Sequence, residues 1–223
     1  MNAFRMAFDN AIATARTCYS SKGIIPTEAV TTWPKRDELA TSLYQAGHHT
    51  VFQHAHFQFA LSNVSRQFVW SFLHSHPFYN SEQVSQRYVE VKAGNYAIPP
   101  IEGRALAVYE KAVQRQFDAY RQLTESLMTP VSAAYFERFK GRAKNPDDKK
   151  TRDGLKKRCM EAARYVLPVG TFTYLYHTIS GITLLRYHRL CRELDASTEQ
   201  TIVIQAMVDE LLRQAPEYRA VLE

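Results

Sequence analysis

Cysteine is scarce: Cys18, Cys159 and Cys191 are the only three in 223 residues, they are far apart, and none belongs to a C-x-x-C pair. A disulfide framework is therefore not expected, and a reducing, cytoplasmic setting is the simpler reading. No apolar run approaches the roughly 18 residues needed to span a bilayer, so no membrane partner is expected. The opening segment MNAFRMAFDNAIATAR has Asp9 and Asn10 inside its apolar stretch and lacks a cleavage-site pattern, which argues against a secretory leader. Also missing are a G-x-x-x-x-G-K-[ST] phosphate loop, a G-x-G-x-x-G turn, a nucleophile elbow, an H-E-x-x-H pair, internal repeats and low-complexity tracts. Any nucleotide chemistry must use other means.

What is present describes a folded protein. Apolar residues make up 45% and aromatic residues 12%, enough for a sizeable core at this length. The 28 basic against 22 acidic residues give a formal charge of +6, which favours anionic partners. Much of that excess lies in KGRAKNPDDKKTRDGLKKR, Lys140 to Arg158, which reads as a solvated surface segment. The aromatics of QFVWSFLHSHPFYN carry almost no basic charge. They read as core rather than as a base-stacking face, and no nucleic-acid partner is expected.

KRDELATSLYQAGHH reads as a helix, with Leu39, Leu43 and Tyr44 on one face and Gly47 just past its end. HAHFQFALS alternates as a strand, with Phe57, Phe59 and Leu61 on one side. NVSRQFVWSFLHSH returns to helical spacing, with Ser65 as N-cap and Pro77 as the stop. QRYVEV reads as a short strand. A long helix is expected from about Arg104 to Thr129, ended by Pro130, then a loop at Asn145-Pro146-Asp147-Asp148. Helices follow near Leu155 to Tyr165 and Thr183 to Leu194, and a last one opens on a Ser197/Gln200 capping box. The expected fold is α+β: one helix-rich domain over residues 1–223 with a small, mainly antiparallel sheet.

His54 and His56 share a strand face, but no third ligand of suitable spacing accompanies them, so no metal site is expected. Arg164, in EAARYVLPVGTFTYL, sits amid apolar residues and needs an anionic partner. An internal carboxylate and a ligand phosphate satisfy that need equally.

ATARTCYSS, AGHHTVFQHAHFQFALSNVSR, the run HSHPFYNSEQVSQRY and ARYVLPVGTFTYLYHTISGITLL follow one another in the order found in one family. The chain resembles the flavin-dependent thymidylate synthases. The resemblance implies reductive methylation of dUMP to dTMP, using methylenetetrahydrofolate, FAD and NADPH, in a homotetramer whose sites are built across subunits. It places His48, Thr50, Gln53, His74, Ser75, His76, Ser180 and Arg186 at the flavin. Gln83, Ser85, Gln86, Arg87, Arg164 and Arg192 fall at the nucleotide. No cysteine nucleophile is implied.

The chain departs from the family's R-H-R-x7-S motif. Counting back from Ser85, the triplet falls on Ser75, His76 and Pro77; with one inserted residue it falls on His74, Ser75 and His76. Both arginines are missing on either alignment. Gln53, Ser180 and Ile182 stand where the family has glutamate, asparagine and arginine. Histidine keeps a donor but loses the permanent charge and the fork, so weaker, pH-dependent FAD binding is expected. Alternative readings are a paralogue acting on another pyrimidine nucleotide, or a non-catalytic nucleotide-binding or assembly protein.

Overall fold

A computed structural model describes residues 6–75, 79–146 and 148–221. His76 and Pro77 of the motif segment, and Asp147 of the loop, lie outside the described residues. In chain order the elements are α1 (Ala7–Cys18), α2 (Glu28–Thr31), α3 (Arg36–Gln45), β1 (His56–Ser65), α4 (Arg66–Ser75) and β2 (Tyr79–Gln83). Then come α5 (Gly103–Ser126), α6 (Met128–Arg138), α7 (Lys149–Ala163), β3 (Phe172–Ser180), α8 (Gly181–Glu193) and α9 (Thr198–Gln214). Short 3-10 turns occupy His49–His54, Arg142–Lys144, Arg164–Val166 and Pro216–Val221. The fold is helix-rich α+β.

The three strands form one sheet in the order β1-β3-β2. The Arg66 amide donates to the Thr171 carbonyl, while the Gln58 side chain reaches Thr178. On the other edge the Val84 amide meets the Tyr174 carbonyl, and Ser81 meets Tyr176. Numbers rise on one strand as they fall on its neighbour, so both pairings are antiparallel. On β1, Phe59 is buried and Phe57 and Leu61 half-buried, as alternation requires. Asn63 then takes φ +57, a left-handed conformation that asparagine tolerates, and Val64 and Ser65 are buried consecutively beyond it.

The chain divides into two compact units, each assembled from separated stretches. The first takes the described residues up to Leu61, Phe68–Glu82, and the chain from Leu175 onward; the second takes Ser62–Gln67 and Gln83–Tyr174. In the first unit Phe8 of α1 packs edge-on against Tyr218 at 5.2 Å, and Phe57 meets the same ring at 5.6 Å. Phe52, Ile182, Ile204 and Met207 are also fully buried there. In the second unit Val113, Phe117 and Tyr120 of α5 pack with Met160 and Ala163 of α7 and with Leu167.

Several boundaries are as the residues dictate. α3 closes on Gly47 at φ +77, with the His48 amide bonded to the Leu43 carbonyl and the Gly47 amide to Tyr44, a paired αL closure. The Ser197 hydroxyl accepts from the Gln200 amide while the Gln200 side chain accepts from the Ser197 amide, completing the capping box.

Others differ from the sequence reading. QRYVEV is a turn, not a strand. The Tyr88 and Val89 amides both bond the Ser85 carbonyl, and the Ser85 hydroxyl accepts from the Arg87 amide. That local bonding competes with a ladder. Pro130 does not end a helix either: it lies in the first turn of α6, where no amide is needed, and the break falls earlier, at Leu127. α7 starts at Lys149 rather than near Leu155, because the Asp148 carboxylate accepts from both the amide and the hydroxyl of Thr151 at 2.9 Å. Strand β3 was not anticipated, although Thr173, Leu175, His177 and Ile179 alternate into the core.

Candidate functional site

The second unit holds a cavity of about 660 Å³. Asn63 and Arg66 contribute from the end of β1 and the start of α4, and Phe172, Thr173 and Tyr174 from the start of β3. The segment after β2 adds Val84, Ser85, Gln86 and the stretch Val89 to Asn95. The Ser85-centred turn thus brings a hydroxyl and a carboxamide to the cavity wall.

Arg66 is the residue the sequence reading passed over. Its guanidinium donates to the Gln83 side-chain oxygen at 2.7 Å and to the Val84 carbonyl at 2.6 Å. Its Nε is buried without a partner, and so is the hydroxyl of Thr173, which is 2% exposed. No carboxylate among the described residues pairs with Arg66. Burial, and then the positive charge of Arg164, push its pKa below the usual guanidinium value. The acid on the cavity wall, Glu90, is bonded to Lys156 at 2.6 Å. A buried donor and a buried hydroxyl left open, beside uncompensated positive charge, suit a phosphate or another oxyanion.

Arg164 lies in the turn that follows α7, half-buried, with its guanidinium 5.4 Å from the Tyr165 ring. Among the described residues no carboxylate pairs with it. Its positive charge lowers the Arg66 pKa, after burial, but Arg164 is not among the residues that line the cavity. Gln83 enters the constellation through Arg66, and Ser85 and Gln86 line the cavity. Arg87 does not: it pairs with Glu161 at 3.6 Å and lines a different cavity.

The residues expected at a flavin belong to the first unit, as does Arg192, which is exposed in the last turn of α8. His48 and Thr50 are exposed on either side of His49. The His49 ring stacks on Tyr44 at 4.8 Å, and its Nε2 donates to the Tyr44 carbonyl at 2.8 Å. Nδ1 is thereby left to accept from the Arg186 guanidinium, whose charge no carboxylate among the described residues offsets. Gln53 and Ser180 are engaged with each other: the Ser180 hydroxyl donates to the Gln53 side-chain oxygen at 2.5 Å. Ser180 is fully buried and caps α8 by accepting from the Thr183 amide. The His74 ring lies tilted against Trp70 at 4.2 Å and donates from Nδ1 to the Trp70 carbonyl, while Ser75 bonds the Ser71 carbonyl. Both sit at the exposed end of α4.

The family model described as thymidylate synthase complementing protein matches residues 3–217. A flavin-dependent thymidylate synthase of Clostridium tetani (strain Massachusetts / E88) is 26% identical over 212 residues, covering 91% of this chain and 76% of the relative.

Proposed function

We propose, since the chain belongs to the thymidylate synthase complementing protein family, that it converts dUMP to dTMP, taking the one-carbon unit from methylenetetrahydrofolate and the reducing equivalents from NADPH through FAD. One observation carries the nucleotide part: the second unit's cavity, with the orphaned Arg66 Nε and Thr173 hydroxyl beside Ser85 and Gln86. A cavity of this size accommodates a mononucleotide.

In this reading the dUMP phosphate is held by Arg66 and Arg164, with Ser85 and Thr173 as hydroxyl donors. Arg66 lines the cavity and Arg164 acts on it electrostatically, and neither is paired with a carboxylate among the described residues, so together they offset the phosphate's two negative charges. Gln86 presents a carboxamide for the uracil edge. The residues present fit a flavin: Arg186, bonded to His49, offers a guanidinium without a carboxylate partner among the described residues, and His48 and Thr50, on either side of His49 in sequence, offer exposed polar groups. Bound FAD would supply hydride to the one-carbon unit carried on C5 of the pyrimidine. In sum, dUMP, methylenetetrahydrofolate, NADPH and a proton give dTMP, tetrahydrofolate and NADP+. This reading assigns no role to a thiol: Cys159 and Cys191 are buried, with both thiol pKa values raised by burial, and exposed Cys18 does not line the cavity. The assembly proposed is a homotetramer, and the setting cytoplasmic.

Two measurements test this. Calorimetry with dUMP should show saturable binding by the unmutated chain. The purified protein incubated with FAD should retain a flavin absorbance band after desalting. Nucleotide binding without flavin retention would leave a nucleotide-binding protein without this chemistry, and absence of dUMP binding would overturn the reading.

A further inference from the structure

A second cavity in the same unit is not used by this reading. It measures about 410 Å³, and its wall carries Arg142, Lys150, Lys157 and Arg158, with Tyr88 and Tyr135 between the cations. Arg87 also reaches it, already paired with the cavity's one acid, Glu161. The other four cations have no carboxylate paired with them among the described residues. The rings are placed against the charges: Lys157 Nζ is 5.9 Å from the Tyr88 ring, and the Arg158 guanidinium is 5.8 Å from that of Tyr135. Asp148 caps α7 through Thr151, and the charges of Lys150 and Arg142 add to those bonds in holding its carboxyl below the usual range.

We propose that this cavity is a second anion site, distinct from the dUMP cavity, that takes a nucleotide bearing a polyphosphate chain. Four cations on one wall exceed what a monophosphate needs and match the charge of a triphosphate. Tyr88 and Tyr135 offer planar faces on which a base can lie. The Lys140 to Arg158 segment, a solvated surface by sequence, acquires a task from its fold: Arg142 comes from the turn after α6, and Lys150, Lys157 and Arg158 from α7. The two cavities share one turn. Ser85 and Gln86 face the first and Arg87 and Tyr88 the second.

The test is calorimetry on the full chain with three probes: ATP, inorganic tripolyphosphate and a single-stranded oligonucleotide, each with and without saturating dUMP. ATP and tripolyphosphate should both bind, with affinity falling as salt rises. The double variant Arg142→Glu/Lys150→Glu should weaken both at least tenfold while leaving dUMP affinity unchanged. Tyr88→Leu should weaken ATP several-fold and spare tripolyphosphate. Equal binding to the charge-reversed variant would overturn the proposal, and so would loss of ATP binding when dUMP saturates the first cavity. Oligonucleotide binding tenfold tighter than ATP would assign the surface to nucleic acid instead. Arg66→Met, which acts on the first cavity, should leave ATP binding intact, so failure of one site is read separately from failure of the other.

Discussion

Replacing Arg66 by methionine separates ligand binding from folding. In the free protein the substitution removes two hydrogen bonds, to Gln83 and to the Val84 carbonyl. Each is worth about 1.5–3 kcal/mol for a charged donor. It also removes a buried Nε without a partner, which costs about 1–3 kcal/mol, and a charge that burial and Arg164 both disfavour. Gln83 is exposed and rehydrates when released. These contributions oppose one another only in part, and stability without ligand should fall by about 1–3 kcal/mol. With dUMP a further contact is lost, because the charged contact to phosphate disappears. Affinity should fall by about 2 kcal/mol or more, roughly 30-fold. The assay pairs denaturant unfolding of the free protein with dUMP calorimetry. Unchanged affinity would refute the placement of phosphate at Arg66. A loss of stability without ligand accompanied by unchanged dUMP affinity would show that the arginine is there to hold the fold.

Three further outcomes follow from the first unit and the thiols. Arg36 bonds Asp9 at 2.9 Å, and the Asp9 side chain is only 6% exposed, so Arg36→Ala should destabilise by about 3 kcal/mol and Asp9→Asn in the same chain should restore part of it, both read from chemical denaturation. A methyl group added at Gly181 would lie 2.7 Å from the fully buried Tyr218 ring; Gly181→Ala should cost about 2 kcal/mol, and Tyr218→Leu should relieve the clash, read as a non-additive double-mutant cycle. Alkylation of the native protein near neutral pH should label exposed Cys18 alone by mass spectrometry. Burial raises the pKa of Cys159 and Cys191, so their thiolates, and hence their labelling, should appear only at pH above the ordinary thiol range.

Local signals carried much of the fold. Gly47 at the end of α3, the Ser197/Gln200 box and the alternation of Phe57, Phe59 and Leu61 are each decided within a few residues, and the structure follows them. β3 carries the same period-two signal in TFTYLYHTIS but was absorbed into the apolar run around Leu167-Pro168. Pro130 was read as a stop because a first-turn proline and a terminating one look alike until the neighbouring helix is placed. For the site, Ser85 and Gln86, which line the cavity, are legible through the resemblance. Arg66 is not: after an N-cap serine and ahead of Phe68, a basic residue reads as solvated. Only the pairing of β1 and β2 on either side of β3 carries the Val84 carbonyl to its guanidinium. Arg87, two residues after Ser85 in sequence, pairs with Glu161, beyond the turn whose bonds close on the Ser85 carbonyl.

The most direct measurement of the central claim is release of tritium from dUMP labelled at C5, with methylenetetrahydrofolate, FAD and NADPH supplied. Methylation at that carbon must displace its hydrogen, so the unmutated protein should release label in step with dTMP formation, and release should stop when methylenetetrahydrofolate is withheld. If the protein binds dUMP and retains flavin yet releases no tritium under these conditions, it is not a thymidylate synthase.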